Sequence, residues 1–187
     1  MISTATGSRH IRCRRHRQLA AGHLIIVEVP LDNASYLATG TQTGHLRVNE
    51  SAFRALWVLH PKEYHQIRTY SRMVATPRWQ QAYDHDYRYT GNLNKALPMF
   101  RAIKPLFDWA QNSSEHRLNG ILINWYDGSK GHYIGPYRDS PEGLIEGAPI
   151  VMISFGEERI FRFRPRDGKG KTDLPVGNGI IVVIPYE

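Results

Sequence analysis

Four short runs rich in Ile, Val and Phe occupy the second half of the 187-residue chain, at 118–125, 150–154, 160–164 and 180–184. Gly, Pro and Asp separate them. Each is short and rich in β-branched or aromatic residues, which favours strands over helices. Within 160–164, Ile160, Arg162 and Arg164 alternate with Phe161 and Phe163, the pattern of a half-buried strand. The first half is mixed. A β-branched run at 24–29, closed by Pro30, reads as a strand, and 31–48 reads as loops with one short strand. Asn49 reads as a helix N-cap, with Phe53, Leu56, Trp57 and His60 following at helical spacing until Pro61. A second helical turn is expected at 61–67. The segment 96–110 suits an amphipathic helix through Leu97, Phe100, Ile103, Leu106, Phe107 and Trp109. Pro98 fits its first turn, and Pro105 is expected to kink or split it. A polar break follows at 112–117. Mixed helices followed by several short strands imply an α+β protein with a sandwich or small-barrel core.

Composition narrows what such a core can serve. Charged residues make up 22% and hydrophobic ones 41%, the balance of a folded chain. No apolar run approaches the ~20 residues of a membrane helix, so no membrane partner is expected. The single cysteine, Cys13, rules out an intrachain disulfide and a cysteine-based zinc site. It fits a reducing, intracellular compartment, cytoplasmic or nuclear. The net charge of +7 favours polyanions, of which nucleic acid is the commonest. Much of the excess is local. Arg9, Arg12, Arg14, Arg15 and Arg17 precede the first acid, Glu28. Residues 1–22 therefore read as a flexible basic arm that contacts phosphate, directs targeting or is simply solvated, ahead of one domain at 23–187. Between 71 and 89, Arg72, Arg78, Trp79, Tyr83, Tyr87 and Tyr89 interleave charge with aromatic rings. Such a surface can stack bases and hold phosphates, and aromatics at this density also simply pack.

The residues with the most specific chemistry lie at 119–140. Two positions apart on extended chain point the same way, so Tyr137 and Asp139 can face one point. A His followed two residues later by Asp would supply two legs of a two-His, one-carboxylate iron triad. Here the first position is Tyr137.

The series Asn124-Trp125-Tyr126, Gly128, then Ile134-Gly135-Pro136-Tyr137-Arg138-Asp139 resembles the AlkB family of iron(II)/2-oxoglutarate dioxygenases. Ser154-Phe155-Gly156 followed by Arg159, Phe161 and Phe163 resembles that family's next two barrel strands. Thr76-Pro77-Arg78 and Asp86-Tyr87-Arg88-Tyr89 resemble its nucleotide-approaching segment. The match covers roughly residues 50–187. The resemblance implies a double-stranded β-helix, a jelly-roll core with flanking helices. It implies that Asn124 and Tyr126 hydrogen-bond 2-oxoglutarate and that Asp139 is the carboxylate ligand of Fe(II). Arg78, Tyr87, Tyr89 and Glu142 would face the substrate. It also implies oxidative removal of N-alkyl groups from DNA or RNA, with a protein or small-molecule substrate left open.

Two departures set limits on that activity. A phenol has a pKa near ~10 and, once ionised, prefers ferric to ferrous iron, whereas imidazole binds Fe(II) as a neutral donor. Tyr137 is therefore a poor substitute. His132 reads as a solvent-facing loop residue, with a folded-back ligand as the alternative. The resemblance further implies a second iron-binding His beyond the strand at 179–184, and an Arg for 2-oxoglutarate beyond that. The residues given run to Glu187. The chain is expected to lack the last strands and both histidine ligands, and to show little or no oxygenase activity. Its alternative role is that of an inactive relative serving as a nucleic-acid-binding or interaction module.

Overall fold

The computed structural model describes residues 27–30, 36–41, 48–89, 91–137, 139, 144–164 and 170–186. The basic arm at 1–22 and Glu142 lie outside them. Among the described residues there are two α-helices and many short antiparallel strands. In chain order these are β1 (Val27–Pro30), β2 (Tyr36–Thr41), α1 (Glu50–Trp57), β3 (Gln66–Thr69), β4 (Arg72–Ala75), β5 (Trp79–Tyr83), β6 (Tyr87–Tyr89), β7 (Asn92–Asn94), α2 (Lys104–Ser113), β8 (Ile121–Trp125), β9 (Ile150–Ile153), β10 (Arg159–Phe163), β11 (Thr172–Val176) and β12 (Ile180–Ile184). No described helix is long and apolar enough to cross a membrane.

The largest sheet has the order β1-β2-β12-β9, antiparallel throughout. Its inner strand β12 is apolar at every position because it is covered on both faces. Ile180, Val182 and Ile184 pack with Leu174 and Val176 of β11 and with Phe161 and Phe163 of β10. Ile181 and Val183 turn the other way and meet Trp109 of α2. The sheet is thus held between the β10–β11 ribbon and a helix. The alternation read in β10 holds: Phe161 and Phe163 are half-buried, edge to face at 4.7 Å, while Ile160 and Arg162 are exposed.

The second structural unit is the β5–β8 ladder, which pairs Trp79 with Trp125, Gln80 with Asn124 and Tyr83 with Ile121. One face of the ladder carries Trp79, Tyr83, Trp125, Ile121 and Ile123 into a core with Leu56, Trp57 and Ile103. The Trp125 indole N–H donates to the Leu56 carbonyl at 2.9 Å and fixes the end of α1 to the ladder. The opposite face presents Arg78, Gln80, Asn124 and Tyr126. Gly120 precedes β8 where no side chain fits: a Cβ there would lie 2.7 Å from His85 Cβ and 2.9 Å from the Tyr83 carbonyl oxygen.

Several expected elements change. Asn49 caps α1, its Oδ1 accepting from Ala52 N–H at 2.9 Å. No helical turn forms at 61–67, because the β3–β4 hairpin claims this backbone: Thr76 N–H donates to the His65 carbonyl, and Gln66 pairs with Ala75. The helix expected at 96–110 is only Lys104–Ser113. Leu97 is drawn off to bridge β5, exchanging backbone bonds with Ala82 and Asp84. Pro105 then sits in the helix's first turn, where a missing N–H costs nothing, so it opens the helix instead of kinking it. The helix also runs into the expected polar break. Strand β11 contains Pro175, which is tolerated because, among the described residues, β11 pairs with β10 alone and its other edge has no partner strand.

Candidate active site: a polar sheet face beside a tyrosine cluster

The polar face of the β5–β8 ladder follows from strand alternation, which sends Arg78 and Gln80 to the side opposite Trp79. Arg78 is 9% exposed, and its Nε donates to Asn124 Oδ1 at 2.7 Å. That bond commits the Asn124 carbonyl and leaves its amide nitrogen as the available donor. Tyr126 follows the end of β8, and the Arg159 guanidinium lies over its ring, 5.2 Å from the centroid. Arg159 also donates to the His132 carbonyl at 2.8 Å. Burial raises the Tyr126 pKa, with Arg78 and Arg159 pulling against it. Neither guanidinium has a carboxylate partner among the described residues. The face therefore offers two unneutralised cations, an amide donor and a protonated phenol.

The chain leaves β8 through a single 3₁₀ turn, Gly128–Lys130, capped by Asp127, whose Oδ1 accepts from the Ser129 N–H at 2.9 Å. Gly131, at φ 66°, adopts the left-handed conformation that reverses the chain. His132 then turns inward. It is 4% exposed, which corrects the expectation of a solvent-facing loop residue. Its Nδ1 accepts from Asp127 N–H at 3.1 Å, and its Nε2 lies 2.9 Å from the Tyr64 hydroxyl. Because Nδ1 accepts, the bonding network assigns the proton to Nε2, which donates to Tyr64. The ring also meets Trp79 edge-on at 4.7 Å. Both nitrogens are used, so His132 braces the turn and has no lone pair to offer iron.

Beyond this turn lie Tyr137 and Asp139. The Tyr87 hydroxyl donates to Asp139 Oδ1 at 3.1 Å. Burial raises the Asp139 pKa, and the Tyr87 bond opposes that rise. Tyr87 itself is pushed far above the usual phenol range, first by burial and then by the Asp139 carboxylate and Tyr137. Tyr137 is 54% exposed as a whole. Partial burial, with Asp139 and Tyr126 close by, also raises its pKa above that of a normal phenol. Tyr89 packs at 5.7 Å from Tyr87, and burial raises its pKa too. The structure thus gathers Arg78, Asn124, Tyr126, Tyr87, Tyr89, Tyr137 and Asp139 into one neighbourhood.

The two halves of this neighbourhood suit different ligands. A dicarboxylate such as 2-oxoglutarate fits the ladder face, where guanidinium, amide and phenol donors converge. Ferrous iron does not fit the other half. Tyr137 offers a phenol, which is neutral near pH ~7 and must lose its proton to bind iron well, Asp139 accepts from Tyr87, and no three His, Cys, Asp or Glu side chains group to hold a metal among the described residues. Sequence reasoning passed over Gln80, His65 and Tyr70. Alternation from Arg78 would have placed Gln80 on the polar face. Nothing in the local pattern announces Tyr70, which is 98% exposed at the tip of the β3–β4 hairpin.

A family model described as "2OG-Fe(II) oxygenase superfamily" matches residues 41–187. The DNA oxidative demethylase ALKBH2 of Homo sapiens is 27% identical over 132 residues, covering 65% of this chain and 50% of its own length. The Bos taurus protein of the same name is 29% identical over 109 residues, 57% of this chain and 39% of its own. That of Mus musculus is 28% identical over 109 residues, 57% of this chain and 45% of its own. The chain spans about half the length of the curated relatives it matches.

Proposed function

The chain belongs to the 2OG-Fe(II) oxygenase superfamily, and from that premise we propose that it is an AlkB-like protein that binds alkylated nucleic acid and 2-oxoglutarate but does not turn over with the described residues alone. The observation that carries this reading is the ladder face, where Arg78, Asn124 and Tyr126 converge beside the Tyr87–Asp139 pair and neither Arg78 nor Arg159 has an acidic partner among the described residues. In this reading the scaffold is the family's jelly roll. Asn124 through its amide nitrogen and Tyr126 through its hydroxyl would hold 2-oxoglutarate, and Arg78, which the resemblance assigns to the substrate side, would add its guanidinium because it lies bonded to Asn124; bound there, 2-oxoglutarate would supply two electrons for the reduction of oxygen. Asp139 offers one carboxylate, and Tyr137 leaves the metal half without imidazole.

Nucleic acid is the proposed polymer because the chain is basic and because the β3–β4 hairpin lifts Tyr70 between Arg68 and Arg72 with every strand residue at least partly exposed. An exposed ring between cations can stack on a base while the cations meet phosphate. An alkylated strand as substrate sets this work inside the cell, in the nucleus or cytoplasm. Tyr137 favours a second reading, in which the same surface serves only as a nucleic-acid-binding module. Both readings require strand binding that weakens with salt. The test is single-strand affinity measured across ionic strength. A linear fall of log affinity with log salt is expected, and salt-independent binding would sink both.

A further inference from the structure

One side chain on the polar face has no part in the reading above. Gln80 is 2% exposed, and both its Oε1 and its Nε2 are buried without a hydrogen-bond partner. Its neighbours show how unusual this is. Gln81 donates to the carbonyls of Ala82 and Lys95. Asn94, equally buried, accepts from Ala82 N–H and donates to the Gln80 carbonyl. The polar needs of the strand are met by these groups, and the Gln80 carboxamide serves none of them. A buried polar group left this way costs stability unless something else satisfies it. Gln80 stands directly across the ladder from Asn124 and two residues from Arg78. Tyr89 lies beside it, near enough for the carboxamide to influence the phenol, yet no bond of proper geometry joins them. A second unpartnered atom, His65 Nε2, lies near Arg78.

We propose that Gln80 is a specificity-determining residue that reads the edge of a single nucleobase. This rests on the nucleic-acid reading above. A carboxamide offers an acceptor and a donor in one plane, which matches the adjacent donor and acceptor on a base edge. Tyr89 supplies an aromatic ring beside it, and Tyr87 packs against Tyr89. A base outside its stack is held in this manner, by its edge and by stacking. Tyr89 is the side chain that yields to admit the base, since its hydroxyl has no bond of proper geometry to break.

The test uses short abasic strands in which only the central nucleotide carries adenine, cytosine, guanine, thymine or no base. The wild-type chain should bind at least one base-bearing strand about tenfold tighter than the abasic strand. Gln80→Leu should bring the four base-bearing strands to equal affinity and leave abasic binding unchanged. Gln80→Glu, with acceptors only, should shift preference toward guanine, which offers two adjacent donors. Persistence of the base preference in Gln80→Leu would overturn the proposal. Failure of the wild type to bind any strand, the abasic one included, would overturn the nucleic-acid reading itself. Binding without base preference would overturn only this proposal. Thermal melting separates a folding role. Gln80→Leu should melt at or above the wild-type temperature, because an orphaned amide is removed. A clear fall in melting temperature would mean that the carboxamide is bonded within the fold, and would also overturn the proposal.

Discussion

The ladder face and the Tyr137–Asp139 segment stand side by side but differ in what their residues can bind. The ladder face is built on paired strands. Arg78, Asn124 and Tyr126 are held by backbone register, by the bond between Arg78 and Asn124, and by the aromatic core behind them. The segment at Tyr137 and Asp139 lies on irregular chain past a turn, and its donors are phenols and one carboxylate already bonded to Tyr87. The two halves therefore rest on different constraints. Positions on a ladder are fixed by many bonds, whereas a ligand on a loop depends on its own chemistry alone.

The largest expected effect comes from the rigid half. Arg78→Ala should weaken 2-oxoglutarate binding by about 10- to 100-fold, the range of a lost charge-assisted contact worth about 1.5–3 kcal/mol. Arg162→Ala, which removes an exposed pair with Asp173, should leave that affinity unchanged. Equal losses in both variants would show that general charge, and not the ladder face, holds the ligand. Calorimetric titration measures both. Tyr70→Ala comes next, with an expected loss of about 5- to 100-fold in single-strand affinity from stacking of about 1–3 kcal/mol, read by fluorescence anisotropy.

His132→Leu sharpens the comparison from the bracing side. It should destabilise the chain by about 1–3 kcal/mol, because Asp127 N–H and the Tyr64 hydroxyl lose their partner. Chemical denaturation measures this. Co(II) affinity, followed by its visible absorption, should not change, and a loss of metal binding would restore His132 as a ligand.

The smallest effect is a pH dependence. Burial raises the Asp139 pKa above its ordinary value of 3.8. The folded state then binds that proton more tightly than the unfolded state does. Stability from this group is fully present below the ordinary value and falls as pH rises through the raised one. Asp139→Asn should therefore raise the melting temperature slightly at neutral pH, and the gain should vanish below about pH 4. A gain that persists in acid would mean that the buried charge is not its source.

The strands were the most legible part of the sequence. Ile180–Ile184 was readable because a strand covered on both faces must be apolar throughout. The Asn49 cap was readable because its signal is local. The α2 boundaries were not, because the bridge between Leu97 and β5 is a tertiary contact that overrode helical periodicity. The family motifs singled out Arg78, Tyr87, Tyr89, Asn124, Tyr126, Tyr137 and Asp139, which lie in one neighbourhood. They did not reveal that His132 faces inward, since its partners Tyr64 and Asp127 come from separate parts of the chain. Nor did they reveal Gln80, whose significance is that it lacks bonds, and no sequence pattern reports a missing bond.

We propose that the ladder face binds 2-oxoglutarate and that the Tyr137–Asp139 segment does not hold iron. Titrating the 187-residue chain anaerobically with 2-oxoglutarate, with and without Fe(II), tests it directly. Saturable 2-oxoglutarate binding that Fe(II) does not strengthen is expected, with no visible charge-transfer band. A band that grows with Fe(II) and 2-oxoglutarate together would show an assembled iron centre and contradict the account.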